Sequence, residues 1–207
     1  MRKISVDQFE EWEGGVGRND LFLDVGCWSG ATVLRMNDKC EAYGVDFNKE
    51  TLKLADKRIA DRLKYSDITK NIAFNKKFDW VFCSEVVEHI EKDREALGNI
   101  SKIMKKGGHL VLTTPRSVRF FEFWDPAWVR WKFGGKERHW HYTLKELDSK
   151  MSRVGLKIKR YAVQGNFKWV VRRWINVILQ YLIRTDFKVK NSKGDGFSDW
   201  MILAEKI

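Results

Sequence analysis

The chain has 207 residues, 43% hydrophobic and 32% charged, a composition that excludes disordered, collagen-like and mucin-like classes and suits one globular domain. Its 39 Lys and Arg against 28 Asp and Glu give +11, which points to an anionic partner. Three scattered cysteines, Cys27, Cys40 and Cys83, form no CxxC pair, which excludes a disulfide scaffold and fits a reducing compartment. Met1–Ser5 leads into polar sequence without the apolar run of a signal peptide, so the expected location is cytoplasmic.

In chain order, Leu21–Val25 reads as a strand that ends in the turn Gly26-Cys27-Trp28-Ser29-Gly30, and Ala31–Met36 opens a helix. Glu41–Val45 is a second strand, closed by Asp46, and Asn48–Arg58 has helical composition. Arg62–Ser66 is a weak third strand, closed by Asp67, and Phe78–Cys83 a strong fourth. Glu85–Lys105 reads as one long helix with Gly107-Gly108 at its C-cap, followed by a fifth strand, His109–Thr114, ended by Pro115. Arg116–Tyr142 has no clean period and is rich in aromatics. Thr143-Leu144-Lys145-Glu146 is a capping box that starts a helix running to about Gly155. Leu156–Val163 is a sixth strand, Phe167–Arg184 an amphipathic helix, Asn191–Asp195 a polar loop and Asp199–Ala204 a last strand. The alternation predicts an α/β fold, a Rossmann-like, mostly parallel sheet with helices on both faces. One domain is expected over 1–207, with insertions at about 116–142, an aromatic cap, and 164–197, a basic amphipathic helix.

Three acids close three successive strands. The glycine turn after Asp24 lets a ligand approach the backbone and the following helix N-terminus. Asp46, about twenty residues on, is placed to accept both ribose hydroxyls. Asp67 is placed to accept from an exocyclic amine. Each is also an ordinary turn or cap residue, but ligands of open α/β sheets bind at these carboxyl ends.

With these pieces in order, the chain resembles the class I S-adenosylmethionine-dependent methyltransferases, most of all the ubiquinone and menaquinone biosynthesis branch. The resemblance is carried by Leu23-Asp24-Val25-Gly26-Cys27, Gly44-Val45-Asp46, Ser66-Asp67-Ile68, Phe78–Ile90, Lys106–Pro115, His141-Tyr142-Thr143 and Trp200–Lys206. It implies a seven-stranded sheet with the last strand antiparallel and S-adenosyl-L-methionine as cofactor. It also implies that Asp24, Gly26, Cys27 and Gly30 line the methionine end, that Asp46 binds the ribose, and that Phe47 lies against the adenine. Asp67 and Ile68 would meet the adenine edge, and Ser84 the methionine side. Trp28 stands where the family has a third glycine. It either shields the sulfonium with its ring or turns outward under the aromatic insertion.

Helical spacing would put Glu85, Glu88 and His89 on one face at the mouth of the sheet. His89 then reads as a general base or pocket residue. Alternatively, Glu85, Glu88 and His89 hold a divalent metal, completed by His139 or His141; a similar arrangement holds a metal in small-RNA 2′-O-methyltransferases and some quinone O-methyltransferases. A plain helix start is the third reading. His139 and His141 are further candidate bases, if 116–142 folds over the acceptor.

The charge excess is local: Arg153–Lys193 holds 11 basic residues and one acid, Asp186, so this limb is +10 and the rest of the chain +1. The aromatic cap suggests a small-molecule acceptor that is large and apolar or lipid-like. The limb suits an anionic membrane surface, which would make the protein peripheral. A homodimer contact, packing on the sheet, or an RNA groove with Trp169 and Trp174 as stacking faces are the alternatives. A Rossmann oxidoreductase lacks support because the turn at Gly26 has no G-x-G-x-x-G spacing. A silent cofactor-binding partner protein stays open because of Trp28.

Overall fold

A computed structural model of the chain describes residues 1–183 and 195–207. Eight strands form one sheet: β1 (Arg2–Lys3), β2 (Leu21–Val25), β3 (Glu41–Asp46), β4 (Leu63–Tyr65), β5 (Phe78–Ser84), β6 (Met104–Pro115), β7 (Leu156–Gln164) and β8 (Asp199–Lys206). Their order is β1-β7-β8-β6-β5-β2-β3-β4. β8 runs antiparallel to both β6 and β7, and every other pairing is parallel. The Rossmann-like expectation holds, with one strand more than the resemblance implies. β1 adds two residues to the edge of β7, too few to leave a hydropathy pattern.

Seven α-helices accompany the sheet among the described residues: α1 (Val6–Glu10), α2 (Ala31–Met36), α3 (Lys49–Leu52), α4 (Asp93–Ile103), α5 (Pro126–Lys132), α6 (Leu144–Ser152) and α7 (Phe167–Ile183). Strand alternation splits the core in two. Leu23, Val25, Val81, Cys83, Leu110 and Leu112 meet Ala96, Leu97 and Ile100 of α4 and Leu147 and Met151 of α6. Phe22, Trp80, Val111 and Met201 point the other way, to Val6 and Phe9 of α1 and Val33 and Met36 of α2.

Two expected helices shorten. Asn48–Arg58 is helical only over α3, which Asn48 caps by accepting from the Glu50 and Thr51 amides. The 85–105 segment is not one helix: Glu85 sits at φ 54, Val87–His89 forms a 3₁₀ turn, and α4 begins only at Asp93. Gly107-Gly108 is not a C-cap either, because both lie inside β6. A Cβ on Gly108 would stand 2.9–3.1 Å from the carbonyl oxygens of Lys105, Asp79 and Phe78, so only glycine allows the backbones to meet where β5 and β6 shift register. The capping box before α6 forms as expected, Thr143 Oγ1 accepting from the Glu146 amide and Glu146 from the Thr143 amide. The segment 164–197, expected as a second insertion, contains α7, a few flanking described residues and residues outside the description. Those residues include Arg184, Asp186, Lys188, Lys190, Lys193 and most of the loop from Asn191, and the side chain of Gln180 is likewise outside it.

Candidate active site

The sheet reverses its direction of growth at β2, with β3 and β4 on one side and β5 and β6 on the other. A crevice at such a switch point is where open α/β sheets take ligands. There lies a cleft of about 780 Å³, lined by Val25, Gly26 and Trp28 after β2, Asp46 and Phe47 after β3, Asp67–Lys70 after β4, and Glu85, Val86 and His89–Lys92 after β5. Gly26 has φ +78, and a Cβ there would stand 2.3 Å from Val86 Cγ2, so glycine is required by conformation and by space.

Asp46 organises the first turn. Its Oδ2 accepts the Trp28 amide at 2.8 Å and its Oδ1 the Asn48 amide at 2.8 Å. Both oxygens keep a further lone pair on the cleft side for a hydroxyl. Trp28 occupies the left-handed region at φ 52, a conformation costing roughly 1–2 kcal/mol for a residue with a Cβ. Its ring is mostly exposed and lines the cleft, rather than packing under the aromatic insertion. Phe47 is exposed at the cleft beside Tyr65, ring centroids 5.7 Å apart. Ile68 is buried and lines the adjoining wall. Asp67 is turned onto its own loop: Oδ1 accepts from the Thr69 amide and hydroxyl, and Lys70 Nζ is 3.2 Å from Oδ2. Those bonds, the Thr69 hydroxyl foremost, hold it below the usual carboxylate range.

Asp24, Cys27 and Gly30 lie behind the turn instead of on the cleft surface. Burial first, and the Asp46 charge second, push Asp24 up to about 7. The Cys27 thiol is likewise pushed far up by burial and then by Asp24, so it is an inert packing group. Ser84 faces away from this cleft. Its hydroxyl is 2.7 Å from Thr113 Oγ1, and it lines a separate cavity of about 400 Å³ between α1 and the ends of β5, β6 and β7, with Phe9, Trp12, Arg35 and Gln164.

Glu85, Glu88 and His89 do not share a helix face, because the backbone turns at Glu85. Glu85 accepts from the Thr113 hydroxyl at 2.9 Å. Glu88 is fully buried, and burial, then the Glu85 charge, push it well above the ordinary carboxylate range. Its Oε1 has no hydrogen-bond partner. His89 lines the cleft with its ring half exposed; its Nδ1 donates to the Arg138 carbonyl at 2.7 Å, and its Nε2 is 3.7 Å from Glu88 Oε1.

His139 and His141 do not reach the cleft. Their Nε2 atoms lie 2.7 and 3.1 Å from Asp125 Oδ2, in a buried cluster under the cap. Asp125 Oδ1 takes the Ala127 amide, which caps α5, and Arg173 of α7 at 2.9 Å. Burial pushes Asp125 upward, but His139, His141 and Arg173 outweigh it and hold the carboxylate well below its usual range. Reading the sequence as a string of site motifs missed Asp125 and Arg173. The Asp-Pro pair at 125–126, an N-cap followed by proline at the first helical position, is a legible signal for the first; nothing local marks the second.

Two residue groups among those described bring ligand atoms within 4.8 Å of one another: Glu88–His89–His139 and Asp125–His139–His141. The second already holds the Arg173 cation and does not suit a metal. The first does: Glu88 Oε1 and His139 Nδ1 are buried without partners, and a carboxylate with two imidazoles is a donor set for a divalent ion. Glu85 is outside that group, and His139 takes its place.

The aromatic cap is largely a small core. Trp124 is buried, stacked on His141 at 5.2 Å, and next to Trp169 and Phe197. None of its aromatic side chains lines the cleft. Trp169 and Trp174 are half-buried, Trp169 under the Arg173 guanidinium at 4.7 Å and Trp174 donating from Nε1 to the Trp124 carbonyl.

Residues 23–112 match the family described as a methyltransferase domain. A ubiquinone biosynthesis O-methyltransferase of Alkalilimnicola ehrlichii is 30% identical over 132 residues, 58% of this chain and 53% of that protein. The chain thus spans about half the length of the curated relatives it matches. In fold it is similar to the YcgJ protein of Bacillus subtilis, with a TM-score of 0.67 at 14% identity over 97% of this chain and 98% of that one. It is also similar to the N-methyltransferase NodS of Bradyrhizobium japonicum, solved with S-adenosyl-L-homocysteine, with a TM-score of 0.62 at 17% identity over 97% and 84%.

Proposed function

We propose that this chain is a class I S-adenosylmethionine-dependent methyltransferase that binds S-adenosyl-L-methionine in the switch-point cleft and methylates a small-molecule acceptor. The observation that carries the reading is Asp46 at the end of β3, on the cleft wall, with both oxygens anchored by backbone amides and lone pairs left for the ribose. Phe47 and Ile68 flank the adenine, and Gly26 lets the backbone approach. Asp24, Cys27 and Gly30 shape the methionine end from behind, while Trp28 offers its ring face to the sulfonium.

The cofactor supplies an already activated methyl group, so the protein's task is to align the acceptor and exclude water. The new bond forms between the acceptor atom and the methyl carbon as the carbon–sulfur bond breaks, the electron pair going to sulfur. A proton leaves the acceptor only where its attacking atom carries one. His89, whose ring lines the cleft and whose Nδ1 is held by the Arg138 carbonyl, is the group placed to take it. His139 and His141 are structural in this reading. A lipid-like, quinone-type acceptor is the finer proposal, supported by the curated relatives that act in ubiquinone biosynthesis. RNA is the second choice of acceptor, with the half-buried Trp169 and Trp174 as its stacking candidates.

A second reading of the same edge rests on the unpartnered Glu88 Oε1. Glu88, His89 and His139 would hold a divalent ion, which would polarise an acceptor oxygen.

Calorimetric titration tests the main reading. Wild type is expected to bind S-adenosyl-L-methionine and S-adenosyl-L-homocysteine. Asp46→Ala should weaken both by about 10- to 100-fold, the worth of a charged hydrogen-bonding pair. Wild-type protein that binds neither would overturn the proposal. His89→Ala should keep the binding and lose turnover.

A further inference from the structure

Among the described residues, three contacts on one side anchor α7: Arg173 reaches Asp125, Trp174 donates to the Trp124 carbonyl, and Val170 is buried. Val177, 39% exposed, lies on that same side. The face that begins beside Trp174 and turns away from Val170 and Arg173 carries Phe167, Val171, Ile175, Ile178 and Leu182, which are 38–67% exposed. At 3.6 residues per turn these five fall within an arc of about 80°. Along one border of that stripe lie Lys168 and Arg172, both exposed. α7 contains no acid, and the stretch 153–183 holds seven basic residues and none that is acidic.

We propose that this outer face of α7 docks on an anionic phospholipid surface, lying in the plane of the headgroups. The apolar stripe would enter the acyl boundary, and Lys168 and Arg172 would pair with headgroup phosphates. Charge complementarity selects this occupant: an exposed aliphatic stripe bordered by cations with no acid nearby matches a negative, apolar-cored surface. A 17-residue helix is about 25 Å long, shorter than a bilayer's hydrocarbon core of about 30 Å. Among the described residues no helix is long and apolar enough to cross a membrane. A second copy of the chain on this face would bring Lys168 and Arg172 toward their own counterparts. The inference is independent of methyl transfer. If the proposed acceptor is lipid-like, docking delivers the cleft to where such molecules reside.

The test is sedimentation of the full chain with vesicles of phosphatidylcholine alone and with one-quarter phosphatidylglycerol. Binding is expected to the anionic vesicles and to be at least tenfold weaker to the neutral ones. Ile175→Glu with Ile178→Glu should abolish it with circular dichroism and melting temperature unchanged. Lys168→Glu with Arg172→Glu, confined to exposed side chains, should weaken it about tenfold or more. Calorimetry with S-adenosyl-L-methionine on the same samples reports the cleft separately, so either proposal can fail alone. No sedimentation with anionic vesicles overturns the inference, as does equal binding to both vesicle types. A concentration-dependent dimer that the Ile175/Ile178 variant dissolves, or a salt-dependent shift of RNA in the absence of vesicle binding, overturns it in favour of those partners.

Discussion

Asp24 and Asp125 are both almost fully buried, one behind the switch-point cleft and one beneath the aromatic segment, and they titrate in opposite directions. Asp24 has burial and a like charge, Asp46, against it, and its pKa rises to about 7. Asp125 has two imidazoles, a guanidinium and a backbone amide around it and stays ionised. Burial depth is therefore a poor guide to a carboxylate's charge; the neighbours decide it. The contrast also separates roles. The cleft edge keeps polar capacity unspent, whereas the cap spends its own on fastening β-sheet, cap and α7 together.

The largest expected effect breaks the cap side. Asp125→Ala leaves the half-buried Arg173 without its counter-ion and the buried His139 and His141 without their acceptor, and should cost about 3 kcal/mol, read as a shift in the urea midpoint. The wild-type contribution of Asp125 is present above its unfolded pKa of about 3.9 and is lost as pH falls through the lower folded value.

The Asp24 side has the opposite sign. Its folded pKa lies above the unfolded one, so between pH 4 and about 7 the unfolded state ionises first and stability declines as pH rises. Asp24→Asn should remove that decline, gaining up to about 4 kcal/mol relative to wild type on going from pH 4 to pH 8. Equal pH–stability curves for the two proteins would remove the contrast. The smallest effect belongs to the turn between them. Trp28→Gly should relieve the left-handed backbone by about 1 kcal/mol and weaken S-adenosyl-L-methionine, measured by melting and by calorimetry side by side. A variant that melts earlier would mean the indole contributes packing beyond its exposed position.

Much of the fold was legible because short-range pattern and turn chemistry agree with it. Leu21–Val25, Ala31–Met36 and the Thr143 capping box form as read. The 85–105 helix failed because periodicity cannot register a single residue at positive φ, and Glu85 supplies one. The candidate cofactor residues divided in the same way. Asp46, Gly26, Phe47 and Ile68 reach the cleft because each sits at a strand end. Ser84 does not, because strand alternation points it to the opposite face. His139 and His141 read as open to an acceptor, but they are buried against an aspartate fourteen and sixteen residues upstream and an arginine of a separate helix.

By itself, the sequence determined the order of strands and helices, the acids at the strand ends and the place of the basic limb. Those depend on hydropathy period and on glycine and capping residues, which act within a few positions. Only the tertiary structure decided which acids are charged, which histidines face the cleft and which side of α7 is left bare. Those depend on groups far apart in the chain, such as Arg173 with Asp125 and Glu88 with His139, and on how much water remains between them.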